Sequence, residues 1–352
     1  MPLNNSETPY VFTDLPELTY KRLPAMLADA LPDDFGNALI NRYMANKGIS
    51  TSQITALEMN SLVTEARKMV KGNFDDDAHM SAALRSIIEV GTSAGGARAK
   101  AVIAWNKKTG EIRSGQVDVP EGFEHWLLKF DGMNKVDQQL GTSQDYGRTE
   151  YAYHLMAKSA GITMSECRLL EENGRAHFMT KRFDRESGNI KHHMQTLCAM
   201  NHIDYKLKGT NDYEQFFMTI REMSLGHEAE VEAFRRMVFN VMAQNCDDHT
   251  KNFSFLLRQG GTWELAPAYD VTFAHDLDNE RINQHFMSVN GKYAGFTEDD
   301  MLAVAERFGI GEAKTIIKKV RGVIKSWSSF AQKAGLNQKE IDRIGKLHLL
   351  LE

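Results

Sequence analysis

The most informative motif of the chain is Asn245-Cys246-Asp247-Asp248-His249-Thr250-Lys251-Asn252. Within it, Asp247 and Asn252 are spaced as Asp-x-x-x-x-Asn. At this interval a kinase catalytic loop presents a carboxylate to a hydroxyl nucleophile and an amide oxygen to a metal ion. Asx side chains are also common in ordinary turns, because they hydrogen-bond to the neighbouring backbone. The spacing alone therefore leaves a loop without chemistry as an alternative.

A second carboxylate, Asp270, follows a predicted hairpin. Large apolar residues alternate in 253–257, residues 258–261 have the composition of a turn, and 263–266 is predicted to be the returning strand. This hairpin would bring Asp270 beside Asn252. Mg²⁺ requires oxygen ligands, and kinases use such an Asn and Asp to hold the magnesium ions that bridge the phosphates of ATP. Order and spacing together predict phosphoryl transfer.

A metal-dependent phosphohydrolase is an alternative interpretation, with ligands from 247–249 and from His275-Asp276. Adjacent Asp side chains in an extended segment point to opposite faces, and no helical His pair of the metalloprotease type accompanies them. We therefore expect Asp248 to face away from Asp247, which disfavours this alternative.

A loop of small residues lies upstream, between two β-prone runs at 87–90 and 101–105. It reads Gly91-Thr92-Ser93-Ala94-Gly95-Gly96-Ala97-Arg98-Ala99-Lys100. Small residues let backbone amides approach phosphates closely, and Arg98 and Lys100 add positive charge. The loop matches neither the kinase Gly-x-Gly-x-x-Gly pattern nor a P-loop, so a hairpin tip without a ligand is an alternative.

One cation, Lys129, lies in the apolar strand predicted over 125–130. It follows the glycine loop by one hairpin, as the phosphate-binding lysine does in kinases, although a lysine at a strand edge can instead extend to the surface. A helix is predicted over 148–160, with Gly161 as its C-terminal cap. Glu150 in this helix either pairs with Lys129 or favours the helix N-terminus electrostatically, and the sequence leaves that choice open.

Two further strands, 162–170 and 175–183, are predicted around an Asn173-Gly174 turn. The second leads into an expected hinge between two lobes, where backbone groups and Phe183 are candidates to meet adenine. Helical periodicity is present in 213–223 and in 228–244, and the latter leads directly into the 245–252 loop. Thr297 and Asn337 are predicted helix N-caps.

Together these motifs resemble a known family, the HipA-like serine/threonine kinases, which are the toxin halves of bacterial toxin–antitoxin pairs. The resemblance extends from about Leu23 through the C-terminal helices. Four segments carry it: 93–100, Lys181-Arg182-Phe183-Asp184-Arg185, 245–252 and Pro267-Ala268-Tyr269-Asp270. It implies an α+β, two-lobed protein-kinase-like fold, with a β-rich small lobe and a mostly helical large lobe.

The resemblance also implies roles for individual residues. Asp247 would be the catalytic base, Asn252 and Asp270 would bind Mg²⁺, and Lys129 would contact the phosphates of ATP. Ser93 would be the site of inhibitory autophosphorylation. The implied ATP-binding set is Gly95, Gly96, Ala97, Arg98, Ala99, Lys100, Lys129, Lys181, Arg182, Phe183, His249, Lys251, Asn252, Tyr269 and Asp270.

By the same resemblance, the substrate would be a protein of translation such as an aminoacyl-tRNA synthetase. The partner would be a helix-turn-helix antitoxin of the HipB type, and DNA would be contacted mainly through that antitoxin. The competing interpretation is a catalytically silent kinase-like module that binds an antitoxin and DNA assembly. The chemically intact catalytic positions disfavour it.

Two features depart from the family pattern. Lys181 stands where some members carry an acidic adenine contact, so base recognition would depend on the backbone. The segment Leu31-Pro32-Asp33-Asp34-Phe35-Gly36 lies near the start of the chain, whereas a longer domain usually precedes it. We therefore expect either a shortened gene or a separate protein that supplies the missing piece, as in the tripartite members.

Composition agrees with this assignment. The chain has 352 residues, which is long enough for two lobes. Its formal charge of -5 disfavours a nonspecific nucleic-acid binder. Its three cysteines are scattered, and it has no apolar run of membrane-spanning length, so a cytoplasmic protein without membrane contact is predicted. The expected domains are a shortened, mostly helical region at 1–80, a small lobe at 81–183 and a helical large lobe at 184–352.

Overall fold

The computed structural model describes residues 25–29, 71–73, 100–115, 118–132 and 144–351. The predicted strand at 87–90 and most of the glycine loop, including Ser93 and Gly95 to Ala99, lie outside these residues. The described residues belong to two compact units. The sheet unit comprises 71–73, 100–115, 118–132, 144–151 and 165–191, and the helical unit comprises 25–29, 152–164 and 192–351.

The described strands are β1 (Lys71–Asn73), β2 (Lys100–Trp105), β3 (Glu111–Ser114), β4 (Glu124–Lys129), β5 (Cys167–Glu172), β6 (Arg175–Lys181), β7 (His193–Thr196), β8 (Asn211–Asp212), β9 (Ser254–Leu257), β10 (Trp263–Leu265) and β11 (Met287–Ser288). The described helices are α1 (Ala25–Ala28), α2 (Tyr146–Ala160), α3 (Leu197–Met200), α4 (Tyr213–Glu222), α5 (His227–Met242), α6 (Glu298–Phe308), α7 (Ala313–Lys325), α8 (Trp327–Lys333) and α9 (Gln338–Gly345). In the described part of the chain, no helix is long and apolar enough to cross a membrane.

The sheet unit contains one antiparallel sheet with the strand order β1-β3-β2-β4-β6-β5. β4 therefore lies in the interior of the sheet, between β2 and β6. The predicted strands over 101–105 and 125–130 are confirmed to within one residue. The predicted Asn-Gly turn is also confirmed, because Glu172 pairs with Arg175 and both Asn173 and Gly174 have positive φ, as a two-residue hairpin turn requires.

The predicted strand boundaries around this turn were partly wrong. β5 begins at Cys167 rather than at Ile162, because the Ile162 amide donates to the carbonyl of Ala157 and belongs to the end of α2. Gly161, with φ of 94°, makes that helix end possible, as predicted. β6 ends at Lys181, two residues before its predicted end.

The helical unit is built around α5. Its apolar stripe, predicted to be core, is fully buried: Phe234, Met237, Val238, Val241 and Met242. Both predicted N-caps are confirmed, since Thr297 forms a capping box with Asp300 and the Asn337 side chain accepts from the Glu340 amide.

The predicted hairpin after the 245–252 loop is confirmed. β9 and β10 pair antiparallel with Leu257 opposite Trp263, and β7 pairs on the other side of β9. The chain therefore enters this small sheet directly after Asn252 and leaves it shortly before Asp270.

Candidate active site

The 245–252 loop of the helical unit is held at its start by backbone hydrogen bonds. The Asn245 amide donates to the carbonyl of Asn240 at the end of α5 (2.9 Å). The Cys246 amide donates to Ala274 O, and the Ala274 amide donates to Gln244 O, both at 3.0 Å. This pairing ties the loop that carries Asp247 to the chain segment that follows Asp270.

The two adjacent aspartates point in opposite directions, as predicted. The Asp247 side chain is 35 % exposed, whereas that of Asp248 is fully buried. Asp247 Oδ1 is buried and accepts no hydrogen bond from the described residues; Arg281 Nε lies 3.8 Å from it and His249 Nε2 lies 4.0 Å from it. A carboxylate oxygen without a donor is suited to accept a proton from a substrate hydroxyl.

Asn252 and Asp270 line one small cavity of the helical unit, as the hairpin prediction required. The Asn252 amide group donates to Asp247 O at 2.8 Å, which orients its Oδ1 away from that bond. Asp270 has a φ of 54°, a left-handed conformation that a non-glycine residue adopts only where its surroundings enforce it.

The donor set of this cavity fits Mg²⁺. Asn252 and Asp270 supply oxygen atoms, and Asn245 Oδ1, in the same cavity lining, is buried without a hydrogen bond. The described residues contain no cluster of three or more His, Cys, Asp and Glu side chains that could hold a metal by themselves. A magnesium ion here would complete its shell with water and phosphate oxygens, as it does in kinases.

His249 contacts two aromatic rings, Tyr205 at 5.0 Å and Phe286 at 5.7 Å between centroids. Burial lowers the pKa of His249, against the opposing effect of the nearby Asp247 and Asp270 carboxylates. Its imidazole is therefore neutral near pH 7. These two rings could not be predicted as neighbours of His249, because both lie far from it along the chain.

Tyr269 fastens the loop to the hairpin. Its hydroxyl donates to Lys251 O at 2.7 Å and also contacts the Ser254 hydroxyl. Lys251 Nζ lies 5.0 Å from the centroid of the Tyr205 ring. The predicted nucleotide contacts Lys251 and Tyr269 are thus joined to each other through the backbone of the loop.

The sheet unit resolves the alternatives for Lys129 and Glu150. Their side chains are 7 % and 2 % exposed and form a buried ion pair. Because β4 is an interior strand, Lys129 does not extend to the surface. Lys100 lies directly opposite Lys129 in the β2/β4 register, and opposite residues share a face, so both lysines project from the same side of the sheet.

The side chains of the predicted hinge residues are engaged within the sheet unit. Lys181 pairs with Trp126 in the sheet and donates to Glu124 Oε1 at 2.6 Å, so its side chain lies on the face opposite to Lys129. The Arg182 guanidinium forms a two-pronged pair with Asp184, which Arg185 also contacts. Burial alone would raise the pKa of Asp184, but these arginines hold it below its ordinary value. Only the backbone of Lys181 remains for a nucleotide on the Lys129 face.

Residues 92–328 of the chain match the HipA-like C-terminal domain family. The chain belongs to this family. A solved HipA-like structure, that of the Shewanella oneidensis MR-1 toxin–antitoxin system HipA with HipB and operator DNA, has a TM-score of 0.63. That match covers 92 % of this chain and 83 % of the other at 14 % identity, and it confirms the predicted α+β, kinase-like fold.

Two curated proteins are similar to this HipA-like chain in sequence. A Haemophilus influenzae protein named "Putative kinase" is 26 % identical over 238 residues, which cover 56 % of this chain and 68 % of the relative. The Sinorhizobium fredii protein "Putative kinase Y4mE" is 26 % identical over 136 residues, which cover 36 % of this chain and 32 % of the relative.

Proposed function

We propose that the chain is an ATP- and Mg²⁺-dependent protein kinase that phosphorylates a serine or threonine. The observation that carries this proposal is the 245–270 arrangement: an Asp247 oxygen without a hydrogen bond, followed by Asn252 and Asp270 on one cavity. The buried Lys129–Glu150 pair supports it, because kinases use this pair to hold the phosphates of ATP. The kinase names of the sequence relatives agree.

In the proposed reaction, the substrate hydroxyl oxygen bonds to the γ-phosphorus while the bond to the β,γ-bridging oxygen breaks and ADP leaves. The partly exposed Asp247 carboxylate takes the hydroxyl proton. Arg281 Nε lies 3.8 Å from the Asp247 carboxylate. Asn252 and Asp270 would hold Mg²⁺, which offsets the negative charge on the phosphate oxygens.

Several residues of the sheet unit would contact the nucleotide. Lys129 and Lys100 would meet phosphate oxygens, helped by the Gly95 to Ala99 loop. The backbone at 181–183 and the Phe183 ring would meet adenine, because the Lys181 and Arg182 side chains are engaged with Glu124 and Asp184. Autophosphorylation of Ser93 would add roughly -1.5 to -2 charge to the loop and oppose ATP binding.

We further propose that the kinase is a toxin restrained by a HipB-type antitoxin, with DNA contacted mainly through that partner. The Shewanella structure, in which HipA is assembled with HipB and operator DNA, supports this proposal at the level of the fold. The proposed substrate class is a protein of translation, such as an aminoacyl-tRNA synthetase, and the proposed location is the cytoplasm.

The test has two stages. The melting temperature of the purified chain is first measured with ATP alone, with Mg²⁺ alone and with both. Transfer of labelled γ-phosphate to serine or threonine is then measured on the chain itself and in a lysate. A kinase gives both magnesium-dependent stabilisation and phosphoserine or phosphothreonine. A silent module would be stabilised without any transfer, and a chain with neither response would overturn the proposal.

A further inference from the structure

Asp248, the neighbour of the proposed base, is the most heavily bonded carboxylate of the loop. Its Oδ2 accepts from the Tyr213 hydroxyl at 2.7 Å and from His285 Nδ1 at 2.8 Å. Its Oδ1 accepts from the Phe286 amide at 2.8 Å. Since the side chain is fully buried, all three donors act without competition from water.

His285 is the charge partner of Asp248. Its side chain is 2 % exposed. Burial alone would lower the pKa of His285, but Asp248 raises it to about 10, so His285 is an imidazolium at neutral pH. The other titratable groups that face His285 are Cys246 and His275, while Tyr213, whose own pKa burial and Asp248 raise, stays a neutral donor.

The hydrogen bonds continue from Tyr213 to Asn245, which precedes Asp247 in the chain, whereas Asp248 follows it. The Asn240 amide group donates to the Tyr213 hydroxyl at 3.0 Å, and the Asn245 amide group donates to Asn240 Oδ1 at 3.0 Å. Tyr213, Asn240, Asn245, Asp248 and His285 therefore form one chain of contacts, called here the Asp248 network. It holds Asn245 and Asp248, the residues that bracket Cys246 and Asp247.

The network joins four separate segments: the start of α4, the end of α5, the 245–252 loop and the segment before β11. β11 pairs in turn with β8, which leads into α4. A buried ion pair adds little to stability compared with apolar side chains of the same volume. Its stronger effect is geometric, because a charged, fully bonded carboxylate fixes the backbone on which Asp247 is carried.

We propose that Asp248 and His285 are positioning residues, which hold the Asp247 carboxylate in the orientation required for phosphoryl transfer. This inference rests on the proposed kinase function. The expected effect is on turnover more than on ATP binding, since displacement of a catalytic group by about 1 Å costs on the order of 100-fold in rate. The proposed metal ligands Asn252 and Asp270 are brought together by the β9/β10 hairpin, and Asp248 lines the same cavity.

The experiment compares wild type with Asp248→Asn, His285→Gln and the double variant in the full chain. Asp278→Asn is the matched control, because Asp278 is an exposed aspartate of the same unit outside the network. Single-turnover transfer at saturating ATP and Mg²⁺, the Kd for ATP with Mg²⁺ and the folded fraction are measured for each. Nitrogen-15 NMR of the histidines reports whether His285 is an imidazolium at pH 8.

We expect Asp248→Asn to lower the transfer rate per folded molecule by roughly 100-fold, with the Kd for ATP changed less than about 3-fold. The double variant should be no worse than Asp248→Asn alone, because residues that act as one unit do not give additive losses. The imidazolium signal should be present in wild type and lost in Asp248→Asn.

Three results would overturn the inference: wild-type transfer rates per folded molecule in Asp248→Asn, a rate loss that merely follows ATP affinity, or a neutral His285 in wild type. If the wild-type chain shows no transfer at all, the proposed function falls, and the catalytic role of the network falls with it. The control distinguishes these cases from a general effect of removing a carboxylate.

Discussion

Replacement of Lys129 by Met, combined with a second change at Glu150, distinguishes the contribution of Lys129 to stability from its proposed role in ATP binding. The Glu150 carboxylate is 2 % exposed, so the substitution leaves it buried without its ammonium partner. Loss of one partner from such a pair typically costs about 3–5 kcal/mol. For a chain of 352 residues, that loss corresponds to a drop in melting temperature of roughly 4–7 °C.

The double variant Lys129→Met/Glu150→Gln removes the isolated charge. We expect it to recover most of the lost stability, because a neutral amide is far less costly to bury than an unpaired carboxylate. ATP affinity should not recover. A hydrogen bond to a charged group contributes about 1.5–3 kcal/mol, so both variants should bind ATP with Mg²⁺ about 10- to 150-fold more weakly than wild type.

Lys107→Met is the matched control. Lys107 also belongs to the sheet unit, but its side chain is 31 % exposed and pairs with Glu124 and Glu166, so its loss should cost at most about 1 kcal/mol and leave ATP affinity unchanged. Thermal unfolding and calorimetric titration with ATP and Mg²⁺ measure both effects. Recovery of ATP affinity in the double variant, or binding within about 3-fold of wild type in Lys129→Met, would refute a phosphate contact by Lys129.

Three further predictions follow from the helical unit and the glycine loop. Asp270→Ala should raise the Mg²⁺ concentration needed for half-maximal ATP binding by about 10-fold or more, whereas Asp278→Ala should not; equal shifts in titration would exclude a metal ligand at Asp270. The pKa of His285 is raised in the folded state, so its stabilising effect is present below pH 6.5 and is lost as the pH rises towards 10. The difference in urea unfolding midpoint between wild type and His285→Gln should therefore become smaller from pH 6 to pH 9.5. A difference that stays constant over this range would contradict the charge pair. Incubation with ATP and Mg²⁺ should add one phosphate to Ser93 and weaken ATP binding, as peptide mapping and titration would show; the same phosphate on Asp247→Asn would argue against self-catalysis.

Local features of the fold could be predicted from the sequence. The β9/β10 hairpin, the Asn173-Gly174 turn and the Thr297 cap each depend on neighbouring residues and on the φ values those residues tolerate. The start of β5 could not, because it was decided by a hydrogen bond from Ile162 back into α2.

Contacts between distant segments of the chain were harder to predict from the sequence than local features. The proximity of Asn252 and Asp270 could be predicted, because one short hairpin joins them. The partner of Glu150 could not be predicted, because it depends on the position of β4 in the interior of the sheet. The Asp248 network was missed because Tyr213 and His285 lie in separate segments, and a lone Tyr or His in a sequence does not reveal what it bonds.

Single-turnover phosphoryl transfer by Asp247→Asn shows whether Asp247 is the base of an ATP-dependent kinase. The amide keeps the size of the side chain but cannot accept the hydroxyl proton. At saturating ATP and Mg²⁺, wild type should transfer label to serine or threonine, and Asp247→Asn should be slower by at least about 100-fold while its Kd for ATP stays within a few-fold of wild type. Near-wild-type transfer by Asp247→Asn, or no transfer by a wild-type chain that binds ATP and Mg²⁺, would contradict this role of Asp247.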